Sequence, residues 1–406
     1  MIAKFPSLRR LGPGMIMACS CVGGSHIIAS TQAGAYYGYQ LAVLIVLVNI
    51  LKYPFFRFAF DYSATQNKSV LQGYAEKGKS YLLLFLCFNL FATVVNIAGG
   101  TLLSAVLLAM LLPFKMDLNW LNIIVLLSFL VILFYRQYQR LDKVSKSIML
   151  LLSVITTVAL FLALNKSPTV IDSKFIAPNA WSFSAIPFLI ALMGWMPAPM
   201  ELSIASSLWV VQKNRQDPNY QKNHSVDFNT GYITTIILAL MFMALGASVQ
   251  YGQSLAPLSG GKFIHQFVEM YAISIGEWTR WFIALIAFIC IYGTTIVAVD
   301  GYSRCNLQSV QLLYSGANAD VNNEKGLRYF MLFACLVSFI IIQFFSRSIG
   351  KMIPFAMTAS FISAPIFAWL NLSLARQLVP KSSLLFLARL GLVYLLVMII
   401  VYFGAT

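Results

Sequence analysis

The stretch Cys19-Ser20-Cys21-Val22-Gly23-Gly24-Ser25-His26-Ile27-Ile28-Ala29-Ser30-Thr31 lies inside the first long apolar run of the chain. Two glycines, a serine and a histidine sit where the surroundings are otherwise oily. In lipid every backbone N–H and C=O must find a partner, so unwound backbone at mid-membrane persists only when it is buried in protein or lines a cavity. Val22, Gly23, Gly24 and Ser25 read as such a stretch. Glycine there allows unusual dihedrals and the close approach of a ligand to the main chain.

The composition places that break in a membrane. The chain has 406 residues, 59% hydrophobic and only 10% charged, with a mean hydropathy of +0.78. A soluble domain carries about 25% charged residues, and repeated apolar runs of roughly 20 residues mean transmembrane helices. Eleven spans are expected, at about 11–35, 39–60, 80–112, 118–135, 146–164, 182–211, 229–252, 279–303, 327–346, 350–375 and 384–404. They make one all-α polytopic transmembrane domain over 1–404. The longest polar stretch, Lys213 to Asn229, is too short to fold alone. The first apolar run, followed by ten more, reads as a span rather than a cleaved signal.

The net charge of +15 would suggest nucleic acid in a soluble protein. In a membrane protein it reads instead as the positive charge of cytoplasmic loops. With the N-terminus inside, 21 of the 28 Lys and Arg residues fall on the cytoplasmic side. The other seven are Lys115, Lys166, Lys174, Lys262, Arg280, Arg347 and Lys351. That bias predicts a cytoplasmic N-terminus and an outside C-terminus. Lys52 and Arg57 fall in the second span and are expected to snorkel to its cytoplasmic end. Outside, Lys262 to Trp281 reads as a short interfacial helix with an aromatic anchor. The six cysteines form no CxxC and read as small buried hydrophobes rather than disulfide partners.

A second break is expected in span six, within Ala191-Leu192-Met193-Gly194-Trp195-Met196-Pro197-Ala198-Pro199-Met200-Glu201-Leu202-Ser203. Pro197 and Pro199 both lack an amide donor and cannot share a regular helix interior, whereas they can open a new half-helix. Spans one and six hold the same place in two consecutive sets of five. Discontinuous helices at matched positions point to an inverted-repeat transporter with a midplane site. The alternative reading of such glycines and prolines is a kink or a close-packing site.

The run Gly12 to Leu41 resembles the first helix of the Nramp family of divalent-metal transporters. Gly12-Pro13 at its start, and Ala33-Gly34-Ala35 with Tyr37-Gly38-Tyr39 at its end, carry the likeness, as does Met196-Pro197 in span six. The resemblance implies a leucine-transporter-type fold with 5+5 inverted repeats: repeat one about 11–164, repeat two about 182–375, and an extra helix about 384–404. It departs at the chemistry. The family's Asp-Pro-Gly-Asn is here Gly23-Gly24-Ser25-His26, so Gly23 stands at the metal-binding Asp and His26 at the Asn. The family's Met is kept as Met196, but the His two residues later is Ala198. The span-three stretch from Phe91 to Val106 has none of the family's acids.

Ionisable groups inside a membrane are functional candidates by default, and few are present. Glu201, just past the second break, is the candidate to replace the lost Asp, with capping of its own half-helix as the alternative. The expected ion-binding set is Gly23, Ser25, His26, Met193, Met196 and Glu201, with Glu201, His26 and Met196 as the metal ligands. Val22, Gly24, Gly194, Pro197 and Pro199 form the helix breaks. Asp300 and Arg304, four residues apart, are expected to pair with each other. Carboxylate and carbonyl oxygens suit hard cations, while imidazole and thioether suit softer ones.

Two functions fit: a secondary transporter of a divalent metal cation with an altered site, or a carrier of a small amino-acid-like solute on the same scaffold. In the second, Glu201 would bind an amino group and Trp195 would form a wall. Neither requires a cofactor or a nucleic acid. The chain reads as a transporter in a prokaryotic plasma membrane, in contact with lipid, and not as an enzyme. An ATP-driven pump is disfavoured because no GxxxxGK[ST] loop is present.

Overall fold

Fifteen α-helices follow one another among the described residues, and no strand interrupts them. The computed structural model describes residues 12–135, 138–165, 175–217, 219–253, 263–315, 323–345, 349–378 and 381–405. In order, the helices are α1 (Pro13–Cys21), α2 (Thr31–Tyr37), α3 (Ala42–Gln66), α4 (Val70–Lys77), α5 (Lys79–Leu111), α6 (Leu118–Phe134), α7 (Tyr138–Asn165) and α8 (Ile186–Trp195). They continue as α9 (Leu202–Gln216), α10 (Tyr220–Val249), α11 (Phe263–Ser274), α12 (Thr279–Ser315), α13 (Glu324–Phe344), α14 (Ile349–Leu374) and α15 (Ser382–Ala405). Seven of them (α3, α5, α10 and α12 to α15) are each long and apolar enough to cross a membrane, and α1 with residues 25–37 makes an eighth, bent span. The apolar parts of α6, α7 and α8 are shorter.

Two groups of helices pack around the breaks. In the first, α10 packs against α1, α2 and α3, and α3 against α9. In the second, α5 packs against α6, α12 and α13, and α13 against α6 and α12. α14 lies against both groups, touching α3, α5 and α8. Only 17% of the most apolar window of α15 is buried, which puts this last helix at the lipid-facing edge.

Glycines set the closeness of the first group. A Cβ on Gly14 would fall 2.3 Å from the Asp227 carbonyl oxygen, and one on Gly231 would fall 2.2 Å from that of Gly14. Further along, Gly34 faces the Met243 carbonyl at 1.9 Å and Gly246 the Thr31 carbonyl at 2.2 Å. The first broken span therefore lies backbone to backbone on α10 at both its ends, as small residues permit in membranes. Asp227 secures the start of that span. Its carboxylate accepts from the amides of Gly12 and Gly14, each at 2.8 Å, and from the Tyr220 hydroxyl at 2.6 Å. These amides belong to the orphan donors of a helix start, where negative charge is favoured.

Several expectations are corrected. The helices on either side of the polar run extend past the spans expected to end at 211 and begin at 229: α9 reaches Gln216 and α10 begins at Tyr220. α12 runs twelve residues beyond the expected end at 303, and α4 is an element the hydropathy pattern did not contain. The helix expected over Lys262–Trp281 is α11, but Phe263, Ile264, Phe267, Val268, Met270 and Tyr271 are buried in the protein rather than laid in the interface. Trp278 and Trp281 remain exposed. Lys166, Lys174, Lys262 and Arg347, on which part of the charge count rests, lie outside the described residues. None of the six cysteines forms a disulfide, but Cys87 is exposed and Cys19 only half-buried.

Lys52 does not snorkel; it is fully buried. Arg57 is held near the start of α10 by Asp61 at 2.7 Å and Ser225 Oγ at 2.5 Å.

Gly34→Ala should lower the thermal unfolding midpoint, because overpacking a fitted contact costs about 1–3 kcal/mol. Gly404→Ala, with nothing within 4 Å, should leave it unchanged.

Candidate functional site

The first break is short and sharp. α1 stops at Cys21, Val22 leaves helical dihedrals at φ −79° and ψ 79°, and the chain resumes as a π-helical segment over Ser25–Ser30 that runs into α2. The two limbs are bent by 50°. The second break is longer. α8 stops at Trp195, Met196 is extended at φ −98° and ψ 122°, and α9 begins only at Leu202. The two prolines explain its length, since neither 197 nor 199 can donate to a helical ladder.

A cavity of about 90 Å³ lies between the breaks. The first break contributes Ser20, Cys21, Gly23, Gly24 and Ser25 to its wall, and the second contributes Trp195, Pro199 and Leu202. α5 adds Asn96 and Gly100, and α12 adds Thr294, Thr295 and Tyr302. The cavity thus sits where the two helix groups meet. The neighbours explain the glycines as well as the cavity does: a Cβ on Gly23 would fall 2.6 Å from Thr294 Oγ1, and one on Gly24 would fall 2.5 Å from the Trp195 ring. A separate hollow of about 120 Å³, bordered by Asp117 just before α6, by Asn119 and Asn122 of α6 and by Phe345 and Met352, touches neither break.

The polar groups around the cavity form one network. Asn96 Nδ2 donates to Glu201 Oε1 at 2.8 Å, and the Tyr302 hydroxyl donates to the same oxygen at 3.2 Å. Trp195 Nε1 donates to Asn96 Oδ1 at 3.0 Å and lies 3.3 Å from Ser360 Oγ, which itself donates to Asn96 Oδ1 at 3.1 Å. Glu201 is 1% exposed and makes no capping hydrogen bond to the helix it precedes. Its Oε2 is buried without a hydrogen-bond partner. A buried carboxylate oxygen left unpaired is costly, so this is the atom of the side chain open to a further donor or a cation.

The remaining expected residues divide. Gly23, Gly24, Ser25 and Pro199 line the cavity, while Ser25 Oγ donates to the Cys21 carbonyl at 2.5 Å. His26 is turned to α10 instead. Its Nε2 lies 2.9 Å from the Thr235 carbonyl, and its Nδ1 lies 3.0 Å from the Cys21 carbonyl and 2.8 Å from Ser25 Oγ. The ring ties the break to α10, and no ion pair joins it to Glu201 among the described residues. Met196 is fully buried. Met193 faces away, its sulfur accepting from the Tyr394 hydroxyl at 2.8 Å, and its carbonyl is taken by Lys52 Nζ at 2.6 Å. Gly194 is a packing glycine, since a Cβ there would fall 1.9 Å from the Met357 carbonyl oxygen. Asp300 and Arg304 do pair, with Nε 2.9 and 2.8 Å from the two carboxylate oxygens.

Asn96, Tyr302, Ser360 and Lys52 were not among the expected site residues. Asn96 and Lys52 were visible as polar residues inside apolar spans, a signal that by itself marks function. Among the described residues no group of three or more His, Cys, Asp or Glu side chains could hold a metal ion. The cavity wall itself offers amide, hydroxyl and backbone oxygens; of the expected ligands, neither Glu201 nor Met196 lines it, and Glu201 is joined to the wall through Asn96 and Tyr302.

Two interrupted helices that face one buried cavity between two helix groups are the build of a membrane transporter. The chain belongs to the Nramp family, whose model, described as natural resistance-associated macrophage protein-like, matches residues 14–404. It is 46% identical over 390 residues to an uncharacterised protein of Pasteurella multocida (strain Pm70), covering 95% of this chain and 89% of that one. In fold it is similar to a variant of the manganese transporter of Eremococcus coleocola, with a TM-score of 0.64 at 13% identity over 97% of this chain and 93% of that one. It is also similar to Mhp1, a nucleobase-cation-symport-1 family transporter, in a closed conformation with bromovinylhydantoin bound. That match has a TM-score of 0.61 at 10% identity over 97% and 92% of the two chains. The expected leucine-transporter-type fold is shared at this level.

Asn96→Ala should lower stability by about 1–3 kcal/mol, because it strips a buried carboxylate of a donor and leaves the indole N–H of Trp195 with one partner fewer. A fall in the thermal midpoint with a shift of tryptophan emission checks it.

Proposed function

We propose that this protein is a secondary active transporter that moves a divalent metal cation across the membrane by alternating access, with Glu201 in place of the family's missing aspartate. The observation that carries this reading is Glu201 Oε2, a buried carboxylate oxygen with no hydrogen-bond partner among the described residues, on a side chain whose Oε1 is bonded to Asn96 and Tyr302 of the cavity wall. Membership of the Nramp family and the fold shared with a manganese transporter support a metal as cargo. Ser25, Gly23 and the backbone at Val22 would complete the shell from one side, and Met196 from the other. Carboxylate and carbonyl oxygens with one thioether suit a cation such as manganese, between hard and soft. Gly24, Pro197 and Pro199 keep the chain open at these points.

In this reading the helices are grouped as eleven crossings. α1 to α7 form repeat one, α8 to α14 form repeat two, and α15 is the addition. The group of α1, α2, α3, α8, α9 and α10 rocks against the group of α5, α6, α12 and α13. The Glu201 hydrogen bonds to Asn96 and Tyr302 span that boundary and would break and re-form as the cargo passes. The Lys and Arg bias supports a cytoplasmic N-terminus, and the Pasteurella relative supports a bacterial plasma membrane.

A second reading, transport of a small amino-acid-like solute, is favoured by the absence of a three-ligand group among the described residues. Trp195 would form the wall and Glu201 would take the amino group.

In liposomes the wild-type protein should give manganese-dependent flux, and Glu201→Gln should reduce it by about tenfold or more while the protein keeps its thermal midpoint. Uptake of an amino-acid-like solute in metal-free buffer, with no flux of any divalent ion, would replace the first reading by the second.

A further inference from the structure

Lys52 is fully buried, and the site chemistry above gives it no part. It lies in α3, and its ammonium donates to the carbonyl oxygens of Met193 at 2.6 Å and Gly194 at 3.2 Å. Those carbonyls end α8 at the second break. The last carbonyls of a helix have no partner within it and carry the negative end of its dipole. In transporters built on broken helices this is the end that coordinates cations. Here the chain supplies the cation itself.

On the other side of the same break, Glu201 stands at the start of α9. Lys52 and Glu201 form no ion pair, since none within 4 Å joins them, and Glu201 Oε2 has no hydrogen-bond partner. One interruption therefore holds a tethered cation on its carbonyl side and an unpaired carboxylate on its amide side. Unpaired charge inside a membrane is rare without a role. A tighter structural use of Lys52 would have seated it directly on the carboxylate.

We propose that Lys52 is a resident counter-cation that holds the cargo's electrostatic place in the empty carrier. Its ammonium keeps the end of α8 and Glu201 compensated when the cavity is vacant, and a cation entering the cavity competes with that charge. Lys52 is then a positioning residue that sets affinity without touching the cargo. It makes binding weak and lets the empty carrier cross between its two faces without a stranded negative charge. This inference rests on the cation reading above.

The test is calorimetric titration of manganese chloride into the purified full-length protein, paired with flux in liposomes. Lys52→Met removes the charge, and Lys52→Gln keeps an amide that can still donate to the two carbonyls if the methionine variant does not fold. Either neutral variant should bind manganese about tenfold or more tighter than wild type, a gain of about 1.4 kcal/mol, yet carry it more slowly. Lys52→Arg, which keeps the charge, should not share the gain in affinity. A folded neutral variant that binds with wild-type or weaker affinity overturns the proposal and leaves the cation reading standing. Manganese binding to neither wild type nor any variant overturns both.

Discussion

Backbone that leaves a helix inside a membrane must have its N–H and C=O groups met by something other than water. The rest of this structure follows from meeting that condition twice. At the first break the Cys21 carbonyl is met by Ser25 Oγ and the His26 ring. At the second, the Met193 and Gly194 carbonyls are met by Lys52. The start of the first broken span is met by Asp227. Each of these polar side chains is buried, and each would be unfavourable in lipid without the open backbone it serves.

The side chains that satisfy the breaks also decide what is left for a cargo. With His26 committed to α10 and Lys52 to α8, the charged group nearest the cavity wall is Glu201, whose Oε1 is bonded to the wall residues Asn96 and Tyr302. Its neighbours Asn96 and Tyr302 belong to the other helix group. The same carboxylate therefore joins the two helix groups. In the proposed transport cycle, cargo binding and group movement would be coupled through this one residue, as a change in contacts rather than a signal along a path.

The sequence carried most of the architecture. Hydropathy located the apolar runs, and Gly23-Gly24 and Pro197–Pro199 located both interruptions, because each works through local backbone rules. The Asp300–Arg304 pair followed from helical spacing alone. The site was less legible. Lys52 looked like a snorkelling residue because its distance from α8 is a tertiary fact, although a lysine ten residues into an apolar helix was a warning. His26 looked like a ligand because the sequence cannot say that Thr235 waits opposite it. Asn96 is the one amide in the acid-free stretch from Phe91 to Val106, and its bond to Glu201 is again a tertiary fact. α4 was missed although Ser69 and Gln72 spell its capping box, which the structure forms with Gln72 N donating to Ser69 Oγ at 3.3 Å and Ser69 N to Gln72 Oε1 at 2.8 Å. Gly194 and the glycines on α10 serve close packing, and pattern alone does not separate that use from a helix break.

The central claim is that a cation is held between the two interruptions by Glu201. An electron cryomicroscopy structure of the protein in lipid nanodiscs with manganese measures this directly. The account predicts ion density in the cavity beside Glu201 Oε2, with the chain still unwound at Val22–Gly24 and at 196–201. Density on another set of residues, or either span continuous through its interruption, would contradict it.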